Sequence, residues 1–278
     1  MINKTIAPVS VVIPCFCCAD TISRAIESVV TQTQKPAEVI LVDDASGDDT
    51  LSVLRKIEQQ YSGWVKVIAL RENCGAASAR NAGWAAATQT YVAFLDADDA
   101  WHHRKIEIQL QWMLVHSEFG LSGHNHLVLD RNGCVNEYQT SNFKPQTIHY
   151  KQVGKICSLF SNPFSTRTVM HKRSLPFKFK EGKRYIEDYK LWLEIILANI
   201  PTAFINEPLA ATFKDDYGAA GLSANLWKME QGELDTYWQI YKKNKISFLM
   251  TMLLCVYSLI KYLKRIVVVI IRVCIKKI

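Results

Sequence analysis

Between Lys242 and Ile278 there is no Asp or Glu, whereas the rest of the 278-residue chain mixes both charge signs; the formal charge is +7. A segment so one-sided favours an anionic partner: a membrane surface, a phosphorylated substrate or nucleic acid. The start, Met1 to Pro8, lacks a charged stretch followed by a long apolar core, so no secretory signal is expected and the body of the protein is expected in the cytosol. Eight cysteines are present, but Cys15 and Cys18 form the one C-x-x-C pair, with no second pair and no His cluster to complete it. That lack argues against structural zinc or a thioredoxin-type redox centre and for buried thiols in a reducing compartment. No internal repeat, low-complexity tract or aromatic-basic motif of a nucleic-acid binder appears.

What is present begins with an alternation. Val9 to Ile13 is a short β-branched run stopped by Pro14, and Thr21 to Thr31 has helical spacing of Ile22, Ile26, Val29 and Val30. The beat repeats: strands at Glu38–Val42, Val65–Leu70 and Tyr91–Leu95, helices at Thr50 to about Gln60, Ala76–Thr88 and Trp101–Val115. Strands alternating with helices imply an α/β fold with a mostly parallel sheet, and ligand sites outside the carboxyl ends of its strands. Pro14 to Cys18, Asp43 to Asp49, Asn73 to Ala77 and Asp96 to Asp99 would then line one crevice. Later, Leu121–Asp130 and Val135–Tyr138 are expected to pair as a hairpin across Arg131-Asn132-Gly133, and Tyr185–Ala198 to form an amphipathic helix.

The acidic strand end Leu95-Asp96-Ala97-Asp98-Asp99 fits two readings. Crowded carboxylates repel one another unless a cation holds them, and hard divalent ions take such oxygen ligands; a solvated acidic cap on the next helix is the alternative. Asp43 and Asp44 also follow a strand, so one can cap a helix while the other accepts hydrogen bonds from a base or ribose. The small-residue run Asn73 to Gly83 lets a helix pack closely or a ligand approach, with Arg80 either facing a phosphate or paired with a nearby carboxylate. Glu187 and Asp188 fit a catalytic pair or a first helical turn favoured by the helix dipole. Trp192, one turn on, fits a sugar platform or the core.

The segments Val9–Pro14, Ile40–Thr50, Asn73–Gly83 and Phe94–Asp99, with Tyr185–Trp192 further on, resemble in order and spacing the inverting family 2 glycosyltransferases of GT-A fold. The resemblance spans Val9 to Leu222 and implies a Rossmann-like, mostly parallel sheet flanked by helices, with residues 1–112 as the nucleotide-sugar half, 113–240 as the acceptor half and 241–278 as an amphipathic tail. It implies a nucleobase pocket at Pro14, Phe16 and the Asp43-Asp44 pair, nucleotide contacts at Arg80, Asp96 and Ala97, and a Mn2+ or Mg2+ ion on Asp98, with Asp99 assisting through water. Asp188 matches the general base and Glu187 a residue that orients the acceptor or tunes that base. Lys183 and Arg184 are candidates for an acceptor pyrophosphate, and Lys214 for the donor diphosphate from a movable loop, Lys214 to Gly221. Cys15-Phe16-Cys17-Cys18 departs from the Tyr-Asn pair of many members, so a hydroxyl is lost.

The absence of a Gln-x-x-Arg-Trp signature implies addition of one sugar rather than processive synthesis. The implied reaction moves one hexose, glucose or galactose, from a UDP-sugar to a GlcNAc or GalNAc diphosphate lipid such as undecaprenol, with a β1,3 linkage, in bacterial O-antigen or capsule assembly. Transfer of mannose from GDP-mannose to a polyprenyl phosphate is the rival enzyme reading, and a non-catalytic basic binding module the other. In the tail, Lys261, Lys264, Arg265, Arg272 and Lys276 fall on one helical face. The expectation is a helix lying in the membrane interface with these cations toward anionic lipid, on the cytoplasmic face.

Overall fold

The computed structural model describes residues 6–129, 148–213 and 225–275, with side chains to Ile271. Val135–Tyr138, the second strand of the expected hairpin, and the loop Lys214–Gly221 lie outside the described residues.

The first hundred residues run β1 (Ala7–Cys15), α1 (Ile22–Val30), β2 (Pro36–Asp43), α2 (Thr50–Gln60), β3 (Val65–Ala69), α3 (Ala76–Ala86) and β4 (Tyr91–Phe94). β1 pairs in parallel with β2 and β4, and β2 with β3. Val9, Val11, Val12 and Ile13 are all fully buried, as expected of a central parallel strand covered on both faces. Helix α3 lies so close to the sheet that a Cβ on Gly83 would sit 2.3 Å from Val12 Cγ1. Registers Cys15↔Asp43 and Asp43↔Ala69 bring the strand ends to one edge.

The chain then adds β5 (Ala100–Trp101), α4 (Lys105–Val115), β6 (Leu121–Val128), β7 (Tyr150–Gln152), α5 (Lys155–Phe160), β8 (Met170–Lys172), α6 (Glu187–Leu197) and β9 (Thr202–Thr212). These strands extend the same sheet to nine strands in the order β3-β2-β1-β4-β8-β6-β9-β5, with β7 on β9. β8 runs antiparallel between β4 and β6, and β6 pairs in parallel with β9. The helix expected from Trp101 starts only at Lys105, because Ala100 and Trp101 pair with Ala211 and Ala210. Trp101 is fully buried and its Nε1 donates to the Arg167 carbonyl at 2.8 Å. Two long helices close the described chain: α7 (Leu226–Lys242) and α8 (Phe248–Ile275). Leu159, Tyr189, Leu193, Tyr237, Ile240 and Leu254 form the core that joins them to α5 and α6.

Candidate active site

The crevice lies where the strand ends meet α6. Phe16, just past β1, is 52% exposed, whereas Ala97 and the side chains of Asp43 and Asp44 are buried. Both Asp44 oxygens take backbone N–H groups, from Cys74 and Gly75 at 2.8 Å each, so this carboxylate shapes the loop before α3. Gly75 has φ +86°, a left-handed conformation that favours glycine. Asp43 accepts from Ser46 N at 3.4 Å through Oδ2, while its buried Oδ1 has no hydrogen-bond partner. Of the two, Asp43 is the one with a carboxylate oxygen that the described protein groups leave unsatisfied.

Arg80, expected to face a phosphate, instead lies buried between two carboxylates. Its Nη2 donates to Asp96 Oδ1 and its Nη1 to Glu187 Oε1, both at 2.8 Å, and its guanidinium lies 5.5 Å from the Phe179 ring centroid. Burial opposes the guanidinium charge, and the two carboxylates more than offset it, holding Arg80 firmly protonated. The pairing ties residues 107 positions apart. It thereby brings the start of α6 to the acidic strand end.

Chain geometry at that start is unusual. Ile186 precedes α6 with φ 60° and ψ 26°, a left-handed conformation that is an outlier for a β-branched residue. The helix expected from Tyr185 therefore begins at Glu187, with both acids in its first turn, where the helix dipole favours them. Burial pushes the Glu187 carboxyl up to about 7, Arg80 opposing and the adjacent Asp188 adding repulsion. The Asp188 carboxyl is also raised, chiefly by burial, against hydrogen bonds from Tyr189 N at 2.7 Å and Asn162 Nδ2 at 3.2 Å. Asp188 is only half-buried, so it combines raised basicity with access from the crevice.

On the opposite wall Asp96 and Asp98 are half-buried and Asp99 is buried. Asp99 pairs with Arg167, Nε to Oδ2 at 3.1 Å. Burial pushes its carboxyl up to about 7 in spite of Arg167, with Asp96 and Asp98 adding repulsion. Among the described residues no three His, Cys, Asp or Glu side chains converge to enclose an ion. A half-exposed Asp98 beside two further acids still fits a divalent ion shared with a diphosphate, because Mg2+-type sites commonly combine one or two carboxylates with substrate phosphates.

The remaining sequence candidates separate. Trp192 is fully buried against Phe179, at 5.8 Å between ring centroids, and belongs to the core rather than to a sugar platform. Lys183 turns away from the crevice and donates to the Gly232 carbonyl at 2.9 Å and to Asp235 at 2.7 Å on α7. Arg184 is exposed at the rim and donates to Asn73 Oδ1 at 2.7 Å. Pro14 is half-buried at the end of β1, and Lys214 is outside the described residues. Cys15 and Cys18 are free thiols, as are Cys17, Cys74, Cys157 and Cys255. Three residues without any motif of their own also serve the crevice: Asn162 on Asp188, Arg167 on Asp99, and Arg24, which donates to the Asp98 carbonyl at 2.6 Å.

A parallel sheet whose strand ends carry the acidic loops, continued by a mixed half that supplies an acidic helix start, is the architecture of the GT-A fold. The family model "Glycosyl transferase family 2" matches residues 10–158, and the chain belongs to that family. It is 33% identical over 223 residues, 79% of this chain and 81% of the relative, to the UDP-Glc:alpha-D-GlcNAc-diphosphoundecaprenol beta-1,3-glucosyltransferase WfaP of Escherichia coli. Among solved structures it matches S. aureus TarS 1-349 in complex with UDP-GlcNAc, with a TM-score of 0.67 at 16% identity over 90% of this chain and 71% of that one. Against another TarS crystal structure the match spans 39% of that chain. The mannosyltransferase PcManGT from Pyrobaculum calidifontis, in complex with GDP-Man and Mn2+, matches with a TM-score of 0.61 at 19% identity, over 86% of this chain and 65% of that one.

Proposed function

We propose that the chain transfers one glucose from UDP-glucose to a GlcNAc-diphosphate lipid of the undecaprenol type, forming a β1,3 bond during surface-polysaccharide assembly at the cytoplasmic face of the cell membrane. The observation that carries the mechanism is the Arg80 bridge, which holds Asp96 and Glu187 at 2.8 Å each and so sets Asp188 across from the acidic strand end. The similarity to WfaP supports the donor, acceptor and linkage.

In this account the nucleotide enters over the strand ends, its base against Pro14 and Phe16 with Asp43 and Asp44 beneath, and its ribose and phosphates toward Asp96 and Ala97. Asp98 would hold Mn2+ or Mg2+, which supplies positive charge to a departing diphosphate. Asp188 takes the proton of the attacking acceptor hydroxyl, and its raised pKa makes it a stronger base than an ordinary carboxylate. Glu187, fixed by Arg80, holds the first turn of α6 in place and keeps Asp188 at the crevice. Attack from the face opposite the leaving nucleotide inverts an α-linked donor to a β product.

The test is a donor and acceptor panel: the purified chain with Mn2+, UDP-glucose, UDP-galactose and GDP-mannose, and a synthetic GlcNAc-diphosphate lipid or a polyprenyl phosphate. Transfer from UDP-glucose to the GlcNAc lipid is expected; transfer only from GDP-mannose to the polyprenyl phosphate would replace this reading. For the metal, Asp98→Ala should lose Mn2+-dependent UDP binding by calorimetry, and equal affinity in both forms would remove Asp98 as its ligand.

A further inference from the structure

Helix α8 is packed inside out. A helix on the flank of a domain normally buries its apolar stripe and shows its polar face to water. Here the face toward the domain holds Thr251, Leu254 and Ser258, each fully buried, followed by Lys261 and Arg265. The face toward solvent holds Leu253, Val256, Ile260, Leu263, Val267 and Ile270, spaced alternately by three and four residues and each at least half exposed.

The reason lies on α7. Glu233 is buried and accepts from Lys261, from Tyr237 Oη at 2.9 Å and from Arg265 Nη2 at 3.4 Å. Lys261 also donates to the Phe160 carbonyl at 3.2 Å. Aromatic pairs Trp227–Tyr262 at 5.7 Å and Trp238–Phe248 at 6.4 Å continue the antiparallel packing on either side. Lys261 and Arg265, expected to face lipid, are thus turned to a carboxylate of the protein, and the lipid-like face of the helix is the one left open.

We infer that this apolar ridge, held outward by the Glu233 latch, is a surface that inserts into one leaflet of an anionic bilayer. The inference rests on the proposed lipid-linked acceptor and names the partner that brings the crevice to it. Charge selects the bilayer over a second copy of the chain: Lys261 and Arg265 are taken up by Glu233, but residues 242–278 hold no acid, so in two such helices side by side the exposed Lys264 beside the ridge meets like charge and no carboxylate. An anionic headgroup layer complements the exposed Lys264 beside the ridge and the exposed Lys242 and Lys245 just before the helix. Among the described residues no helix is long and apolar enough to cross a membrane, and a helix latched at its middle to the domain lies flat along it.

The test is flotation of the full chain with phosphatidylglycerol-containing vesicles and with pure phosphatidylcholine vesicles. The wild type is expected to float with the anionic vesicles, and Leu253→Asp/Leu263→Asp to lose at least about tenfold in partitioning. A second variant, Val256→Asp/Val267→Asp, should behave alike, with both variants keeping wild-type transfer to a water-soluble GlcNAc-diphosphate acceptor. Equal flotation of wild type and both variants overturns the inference, as does a wild type that floats with neither vesicle. A dimer in solution that the variants dissociate, without flotation, assigns the ridge to a second copy and also overturns it. Flotation that persists while no acceptor is glycosylated discards the proposed reaction and leaves this surface standing.

Discussion

Two buried charge clusters in this protein are mirror images. In the crevice one cation, Arg80, sits between two carboxylates, Asp96 and Glu187; on the flank one carboxylate, Glu233, sits between two cations, Lys261 and Arg265. Both glutamates are buried, yet their acidities move in opposite directions. Burial dominates at Glu187 and pushes it up to about 7, because it shares Arg80 with Asp96 and has Asp188 beside it. Burial also acts on Glu233, but Lys261 and Arg265 outweigh it and hold that carboxyl below the usual range. Burial alone therefore fixes neither sign; the number of cations per carboxylate does. The surplus of acid in the crevice suits a site that takes up protons and cations, and the two cations on Glu233, which keep that carboxylate ionised, suit a fixed joint.

The opposite shifts carry opposite linkage. Glu187 keeps its proton in the folded state over the range from the ordinary 4.5 to about 7, where the unfolded chain has lost it, so its contribution lowers stability as pH rises through that window. The contribution of Glu233 is present above the ordinary glutamate pKa and is lost as pH falls through its depressed folded value.

Breaking the crevice at its proposed base gives the largest expected effect. Asp188→Asn should lower the transfer rate by about 10²–10⁴-fold while UDP affinity stays at the wild-type value, the scale of a lost general base; a parallel loss of UDP binding would make Asp188 a structural residue. Next, Arg80→Ala strips the shared cation from two carboxylates and should cost about 3–5 kcal/mol in urea unfolding. Removing the flank carboxylate is milder. Lys261 and Arg265 are about a fifth exposed and can turn to water, so Glu233→Ala should cost about 1.5–3 kcal/mol, with faster hydrogen exchange confined to α7 and α8. Equal, global losses from both variants would erase the distinction between reactive site and joint. The smallest effect is at Asn162, whose amide favours the charged form of Asp188. Asn162→Ala should move the acid limb of the pH–rate profile upward, and an unmoved limb would remove Asn162 as a positioning residue.

Much of the donor side was legible because short β-branched runs ending in acids have few other uses, and Asp43, Asp44, Asp96 and Asp98 all fall on the expected edge. The partners of Arg80 were not legible: a paired arginine was an open alternative, but Glu187 lies 107 residues away, and spacing along one helix carries no such information. Asn162 and Arg167 stand outside any periodic segment, so no pattern marks them. Trp192 falls at helical spacing from Asp188, and only the packing of Phe164 and Phe179 decides that it faces the core. In the tail the clustering of Lys261 and Arg265 was visible on a helical wheel. Its direction was not, because the acid that decides it, Glu233, is on another helix.

The central claim is that Asp188 and the acidic strand end act from opposite faces of one anomeric carbon. It is tested most directly by proton NMR of the disaccharide formed from UDP-glucose and the synthetic GlcNAc-diphosphate lipid. A β-glucosyl product bonded to O3 of GlcNAc, absent from the Asp188→Asn reaction, is the result this account predicts; an α-glucosyl product, or transfer undiminished in Asp188→Asn, would contradict it.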